Sequence, residues 1–261
     1  MLCQWRFQLT YKNTAEVDAE TQSLQWTSEL VRKFWNYQSR FPENYFTSLY
    51  GDEIAKAVRK HVPHQARILD YACGTGALTG HLLRADFSVG GCDLSPDSIA
   101  YVRKVHGAHS SFKGAYTLDE LLAGTEKFDA VVLVELIEHV DDDVLVHVMS
   151  DVRRVLLPGG VVIVTTPNDE NLDAETVYCP CCNCTFHRWQ HVRSWNARTL
   201  AARLLSCGFQ VVAADETDFS LSRKSGVARY YLHRLLRALL RRKQPHLMVV
   251  ARSASLQERQ S

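Results

Sequence analysis

The sequence has almost no net charge, with 30 Lys and Arg against 29 Asp and Glu. No overall field therefore draws it to nucleic acid or membrane, and any basic contact surface is local. No apolar run approaches the roughly 20 residues that span a bilayer. The opening stretch, MLCQWRFQLTYKNTAEVDAE, lacks the apolar core and small-residue cleavage site of a secretory leader, so the expected location is the cytoplasm. Internal repeats and low-complexity tracts are also missing, which excludes a solenoid or a disordered array. At 261 residues the chain can bury a core without covalent staples.

What is there in excess is local. Residues 179 to 191, CPCCNCTFHRWQH, place four cysteines and two histidines in thirteen positions. In a reducing compartment such a cluster points to metal ligation or catalysis before disulfides. The other cysteines, Cys3, Cys73, Cys92 and Cys207, read as small buried hydrophobes.

From about residue 20 to 62 the pattern is helical: Leu24, Leu30, Val31, Phe34 and Trp35 fall near a 3.6 period, and YGDEIAKAVRKHV repeats it after a break at Pro42. Beyond this, short apolar runs (ARILDYA, FSVGGCDL, FDAVVLVE, GGVVIVTTP, QVVAADET) alternate with amphipathic helical stretches. That rhythm means βαβ units: an α/β fold with a mostly parallel sheet and helices on both faces. Residues 168–196 show no clear period and are inserted after the fifth strand. Residues 220–244 contain eight Lys or Arg between Arg223 and Lys243 and no acid, and HLMVVARS then reads as a last strand.

ILDYACGTGALTGHLL is a strand ending at Asp70, a loop of small residues (Ala72, Gly74, Gly76) and a helix. Glycines let the backbone approach a ligand, and the helix start offers free N–H groups. At the next strand end Asp93 is placed to accept hydrogen bonds from a ribose diol. A nicotinamide-dependent dehydrogenase would need a third glycine three residues after Gly76, and position 79 is Thr.

This run, with FDAVVLVELIEHV and RVLLPGGVVIVTTPN, resembles the class I S-adenosylmethionine-dependent methyltransferases over roughly residues 45–215. The resemblance implies a Rossmann-like seven-stranded sheet with the cofactor across the strand carboxyl ends. It implies cofactor contacts at Asp70, Ala72, Gly74, Gly76, Asp93, Leu94, Val134 and Glu135, with Asp70 and Gly74 at the methionine end. Ala72 stands where the family usually has glycine, and its methyl fits if φ stays negative. The acid expected near the adenine after the third strand is missing from FKGAYTLDEL, which leaves the adenine contact unassigned.

If residues 135–139 turn as a helix, Glu135, Glu138 and His139 share one face. Such a set holds a divalent ion or serves as a general base with its partner; it is equally a helix start whose acids favour the dipole. The order Glu135, Glu138, His139, then His191 in WQHVRSW, resembles the metal-dependent small-RNA 3′-end 2′-O-methyltransferases, in which Mg or Mn would be held by these four. Small-molecule O-methyltransferases resembling the ubiquinone-pathway enzymes share EHV and the segment VRKFWNYQSRF, and imply a small hydroxylated or lipid-like substrate. Catalysis is expected from His139, His191, Glu135 and Glu138.

Cys179 and Cys182 have the two-residue gap of a zinc knuckle, completed by Cys184 and His187, with Cys181 as an alternative; a redox-sensing thiol pair or a loop of tolerated cysteines are the other readings. A zinc ion there would fix Phe186, Trp189 and Trp195 as a wall over the pocket. The basic segment 223–243 reads as an amphipathic helix, either packed on the sheet or resting on an anionic membrane or an RNA backbone. The expected organisation is a helical lid over 1–62, a cofactor-binding core over 63–219 with the insertion at 168–196, and a basic helix with the final strand over 220–261. A binding module that keeps the fold and a zinc knuckle without turnover is the reading from another class.

Overall fold

The computed structural model describes residues 21–221 and 243–253. In chain order, β1 (Gln22–Ser23), α1 (Ser28–Gln38) and α2 (Phe46–Val58) lead into β2 (Arg67–Tyr71), α3 (Ala77–Arg84), β3 (Ser88–Asp93), α4 (Pro96–His106), β4 (Phe112–Thr117), α5 (Leu118–Ala123) and β5 (Phe128–Val134). They are followed by α6 (Asp142–Val155), β6 (Leu156–Pro167), β7 (Thr176–Cys179), β8 (Cys184–His187), α7 (Ala197–Ser206), β9 (Phe209–Thr217) and β10 (His246–Ser253).

Seven strands form one sheet in the order β4-β3-β2-β5-β6-β10-β9. The run from β4 to β6 is parallel, while β10 lies antiparallel to both β6 and β9. The central strands are apolar almost throughout because both faces are covered, as parallel sheets require. On one face α6 buries Leu145, Val148, Met149, Val152 and Val155, joined by Leu200 and Leu204 of α7. On the other, Ile54 and Val58 of α2 pack with Leu78 and Leu82 of α3 against Ile68, Val132 and Ile163. This is the expected α/β architecture.

The helix starts are set by local chemistry. Ser95 caps α4 with Pro96 in the first helical position, Thr117 and Glu120 form a reciprocal capping box on α5, and Asp141 caps α6. These caps stop each strand from running on and leave the strand carboxyl ends on one edge, where the site lies.

Three expectations are corrected. The N-terminal helix starts later than its period implied, capped by Thr27, and Gln22–Ser23 pairs in parallel with Cys184–Thr185. The insertion is not irregular: β7 and β8 form a hairpin, and with β1 a second sheet of three strands. Residues 135–139 are not helical; Glu135 has φ 49° and the segment is a succession of turns. The basic segment 223–243 falls outside the described residues except for Lys243, which pairs with Asp169. Cys3 is outside them too; Cys92 is buried, and Cys73 and Cys207 are half-buried.

Candidate active site

The loop after β2 is built on left-handed backbone, with φ 60° at Ala72, 52° at Gly74 and 78° at Gly76. Ala72 thus takes the conformation its methyl disfavours, contrary to the negative φ expected, at a cost of about 1–2 kcal/mol. Gly76 is needed for packing as well: a Cβ there would meet Val102 Cγ2 at 2.9 Å. A Cβ at Gly74 would meet only Tyr45, at 3.9 Å, so the loop is open above.

Asp70 is 3% exposed, and its Oδ2 accepts the Thr79 hydroxyl at 2.7 Å. Burial raises its carboxyl to about 7, against the opposing hydrogen bonds from the Thr79 side chain and backbone. Asp70 therefore ties the end of β2 to the first turn of α3. The threonine that stands in place of a third glycine supplies that tie. Asp93 Oδ2 accepts the Gly74 N–H at 2.9 Å and its Oδ1 the Ser95 N–H at 2.9 Å, so one carboxylate spans both loops. Beside it Leu94 is 80% exposed, and a cleft of about 260 Å³ runs from Ala72, Asp93 and Leu94 to Leu118, Leu136 and Val140. The last three were missed in the sequence; the apolar residues directly after β4 and β5 were the available signal.

Across the end of β5, two adjacent threonines of β6 hold the two glutamates. Thr165 donates its hydroxyl to Glu135 Oε1 at 2.9 Å, and Thr166 donates to Glu138 Oε2 at 3.0 Å. Only Glu138 joins the histidines, while Glu135 stays near enough for its charge to add to the burial that raises Glu138. One ligand atom each from Glu138, His139 and His191 lies within 4.8 Å of the others. Burial pushes Glu135 up to about 8 and Glu138 well above the carboxylate range. His139 is driven down to about 3, by burial and then by His191. Glu138 Oε1 is buried and lacks a hydrogen-bond partner.

Of the expected four, Glu138, His139 and His191 lie together, while Glu135 bonds Thr165. The expected zinc set is also corrected. Cys179 pairs with Cys184 but Thr176 with His187, so the histidine sits three residues, about 10 Å, along the hairpin from the cysteines. His187 instead groups with Glu170 and His191. At the hairpin tip the Cys179 thiol is lowered by backbone N–H bonds from Cys182 and Cys181, and its contacts with the Cys179 and Cys184 thiols raise Cys182. Asn183, with φ 52°, turns the chain after Cys182. Phe186, Trp189 and Trp195 form no common wall: Phe186 packs on Trp26, Trp189 is 40% exposed and Trp195 is buried in the core.

Gln190, 1% exposed, was also missed. It accepts the Trp35 indole N–H at 2.9 Å and donates to the His139 carbonyl at 3.0 Å. The Trp35 ring stands edge-on to His139 with centroids 5.0 Å apart. Its position next to His191 and its polarity in an aromatic segment were the only signals.

A family model described as methyltransferase domain matches residues 37–214. A ubiquinone biosynthesis O-methyltransferase from Cereibacter sphaeroides is 29% identical over 152 residues, 53% of this chain and 60% of that one. One of the same name from Brucella anthropi is 32% identical over 168 residues, 59% of this chain and 66% of the relative. The chain thus spans about three fifths of the length of these curated relatives. In fold it is similar to the Burkholderia thailandensis 1,6-didemethyltoxoflavin-N1-methyltransferase, solved with S-adenosylhomocysteine. That likeness has a TM-score of 0.60 at 15% identity, covering 90% of this chain and 93% of the other.

Proposed function

Because the chain belongs to the methyltransferase-domain family, we propose that it transfers the methyl group of S-adenosylmethionine to an oxygen of a small hydroxylated or lipid-like molecule. The observation that carries this reading is a single arrangement along one sheet edge. The glycine loop and Asp93 lie at the ends of β2 and β3, and Glu138, His139 and His191 gather beyond the end of β5. Open α/β sheets bind ligands at that edge.

In this reading Asp93 accepts the ribose hydroxyls, Gly74 and Gly76 border the methionine part, and Val134 and Glu135 close the far side. Leu94, Leu118 and Leu136 pack the purine. Asp70 acts by holding the loop. The bound cofactor supplies an electrophilic methyl group, and in-line attack needs alignment above all. His191 takes the hydroxyl proton, with neutral His139 beside it. Residues 21–62, the described part of the N-terminal segment, act as the lid of the core at 63–219, with Trp35 as its contact.

Glu138, His139 and His191 would hold one divalent ion, and the buried, unpartnered Glu138 Oε1 fits such a guest. Its imidazole pair suits manganese better than magnesium. Bound there, the ion would lower the pKa of a coordinated hydroxyl. This donor set favours a second reading, ribose 2′-O-methylation at an RNA end. The relatives named above favour the small molecule.

At the hairpin tip, Cys179, Cys182 and Cys184 would bind zinc as thiolates, without His187, only by drawing closer together, since they are not among the sets of described residues whose ligand atoms lie within 4.8 Å of one another. Elemental analysis checks this: zinc lost in Cys179→Ser/Cys182→Ser and kept in His187→Asn. The described residues include no helix long and apolar enough to cross a membrane; a cytoplasmic enzyme touching anionic membrane or RNA through 223–243 is the reading adopted.

The test is transfer of radiolabelled methyl from S-adenosylmethionine to a panel of phenols and hydroxylated lipids, with and without Mn²⁺, beside RNA ending in a free or blocked ribose. Labelled phenol or lipid supports the proposal, and label confined to free RNA ends replaces it with the ribose reading. No S-adenosylhomocysteine binding by calorimetry would leave the non-catalytic binding module.

A further inference from the structure

His191 stands between two groups, and its proton can be located from its neighbours. His187 Nδ1 accepts two backbone N–H bonds, from Trp189 at 3.3 Å and His191 at 3.2 Å. A nitrogen that accepts carries no proton, so in neutral His187 the proton is on Nε2. That nitrogen is buried without a hydrogen-bond partner of good geometry and lies 3.4 Å from Glu170 Oε1. His187 is therefore a donor facing Glu170, and its Nε2 is not free to ligate an ion, although it groups with Glu170 and His191 by distance.

The other oxygen of the same carboxylate, Glu170 Oε2, is 2.6 Å from His191 Nδ1. Such a short contact is a charge-assisted hydrogen bond, and the proton belongs on Nδ1. The two imidazoles are stacked, centroids 4.3 Å apart and planes 18° from parallel. The stack opposes a ring flip that would exchange the nitrogens. Gln190 makes it possible: with φ 64° it turns the chain back after β8, so that residues 187 and 191 lie one above the other.

We infer that Glu170 and His187 are positioning residues that hold His191 in the Nδ1–H tautomer and leave its Nε2 lone pair as the one directed to the reaction. Hydrogen bonds of this kind, donated by an imidazole N–H to a carboxylate, fix the tautomer and raise the basicity of the other nitrogen. The use made of Nε2, as proton acceptor or as ligand, rests on the proposed function; the tautomer itself does not.

The experiment is nitrogen-15 NMR of the full chain labelled at histidine, at one pH near 7.5, with the His191 signals assigned by loss in His191→Gln. The expected result for the unaltered protein is a protonated Nδ1 and a bare Nε2 at His191, with the reverse arrangement of acceptor and donor at His187. In Glu170→Gln the amide can donate to Nδ1, and the pattern at His191 shifts towards Nε2–H. Methyl transfer then falls roughly 10- to 100-fold in kcat, with KM for the methyl donor unchanged. His187→Asn keeps an oxygen for the two backbone donors and loses the proton facing Glu170, giving a smaller loss. An Nε2–H tautomer in the unaltered protein overturns the inference, whether or not any variant folds. So does an unchanged pattern in Glu170→Leu, which leaves no acceptor for Nδ1–H. A correct tautomer in a protein that transfers no methyl group would sink the functional reading and leave this one standing.

Discussion

Trp35 reaches across 155 positions of sequence to donate its indole N–H to Gln190 Oε1 at 2.9 Å. The bond joins α1 to the turn that carries His191, and Gln190 passes it on to the His139 carbonyl. Trp35→Phe keeps a ring against His139 and strands a buried acceptor. Urea denaturation should show a loss of about 1–3 kcal/mol, and methyl transfer should fall mainly in kcat, since the glycine loop is untouched. An unchanged kcat would mean that α1 does not order the histidines.

Asp93 is the group whose loss should weaken the cofactor most directly. It anchors Gly74 and Ser95 and is assigned the ribose hydroxyls. Asp93→Ala should raise the S-adenosylhomocysteine Kd at least about tenfold by calorimetry, the loss of one or two hydrogen bonds to a charged group at about 1.5–3 kcal/mol each.

Glu138→Gln removes a carboxylate that burial holds well above its usual range. In the absence of a cation this should stabilise the protein at pH 8, because the native state no longer has to keep a buried acid protonated or charged. Added Mn²⁺ should raise the melting temperature of the unaltered protein and leave the variant unmoved. An equal rise in both would place the ion elsewhere.

Asp70 gives stability a slope with pH. Its carboxyl is raised to about 7 in the fold and is near 3.9 in an unfolded chain. Between those values the native state binds more protons, so this group's contribution is whole below about pH 4, declines as pH rises and is lost above about 7. Asp70→Asn removes the decline. Chemical denaturation of cofactor-free protein should show the variant gaining on the parent from pH 5 to pH 8, by no more than about 3 kcal/mol.

The sheet was legible because its strands are continuous apolar runs and its helices carry caps in the sequence, such as TLDE at residues 117–120. Much of the site was legible for the same reason: Asp93, Gly74 and Gly76 sit at strand ends whose order fixes their place. The rest depends on contacts between distant segments. That Glu138 groups with the histidines while Glu135 bonds Thr165 depends on the turns after β5, and spacing along a presumed helix could not show it. His187 was assigned to the cysteines by nearness in sequence, whereas a hairpin sends its open end and its tip in opposite directions. Glu170 and Gln190 carry no spacing signal, since their partners are bound only after the insertion folds back.

The parallel pairing of Gln22–Ser23 with Cys184–Thr185 makes the insertion and the segment before α1 a single clasp. Trp26 reinforces it, set edge-on to both Phe34 of α1 and Phe186 of β8. Anything that stiffens the cysteine tip therefore also sets the stance of α1 above the histidines. Conversely, α1 cannot move far from the sheet edge without straining the pairing of β1 with β8. The stance of α1 and the order of the cysteine hairpin are thereby one mechanical variable, read at opposite ends of the same small sheet.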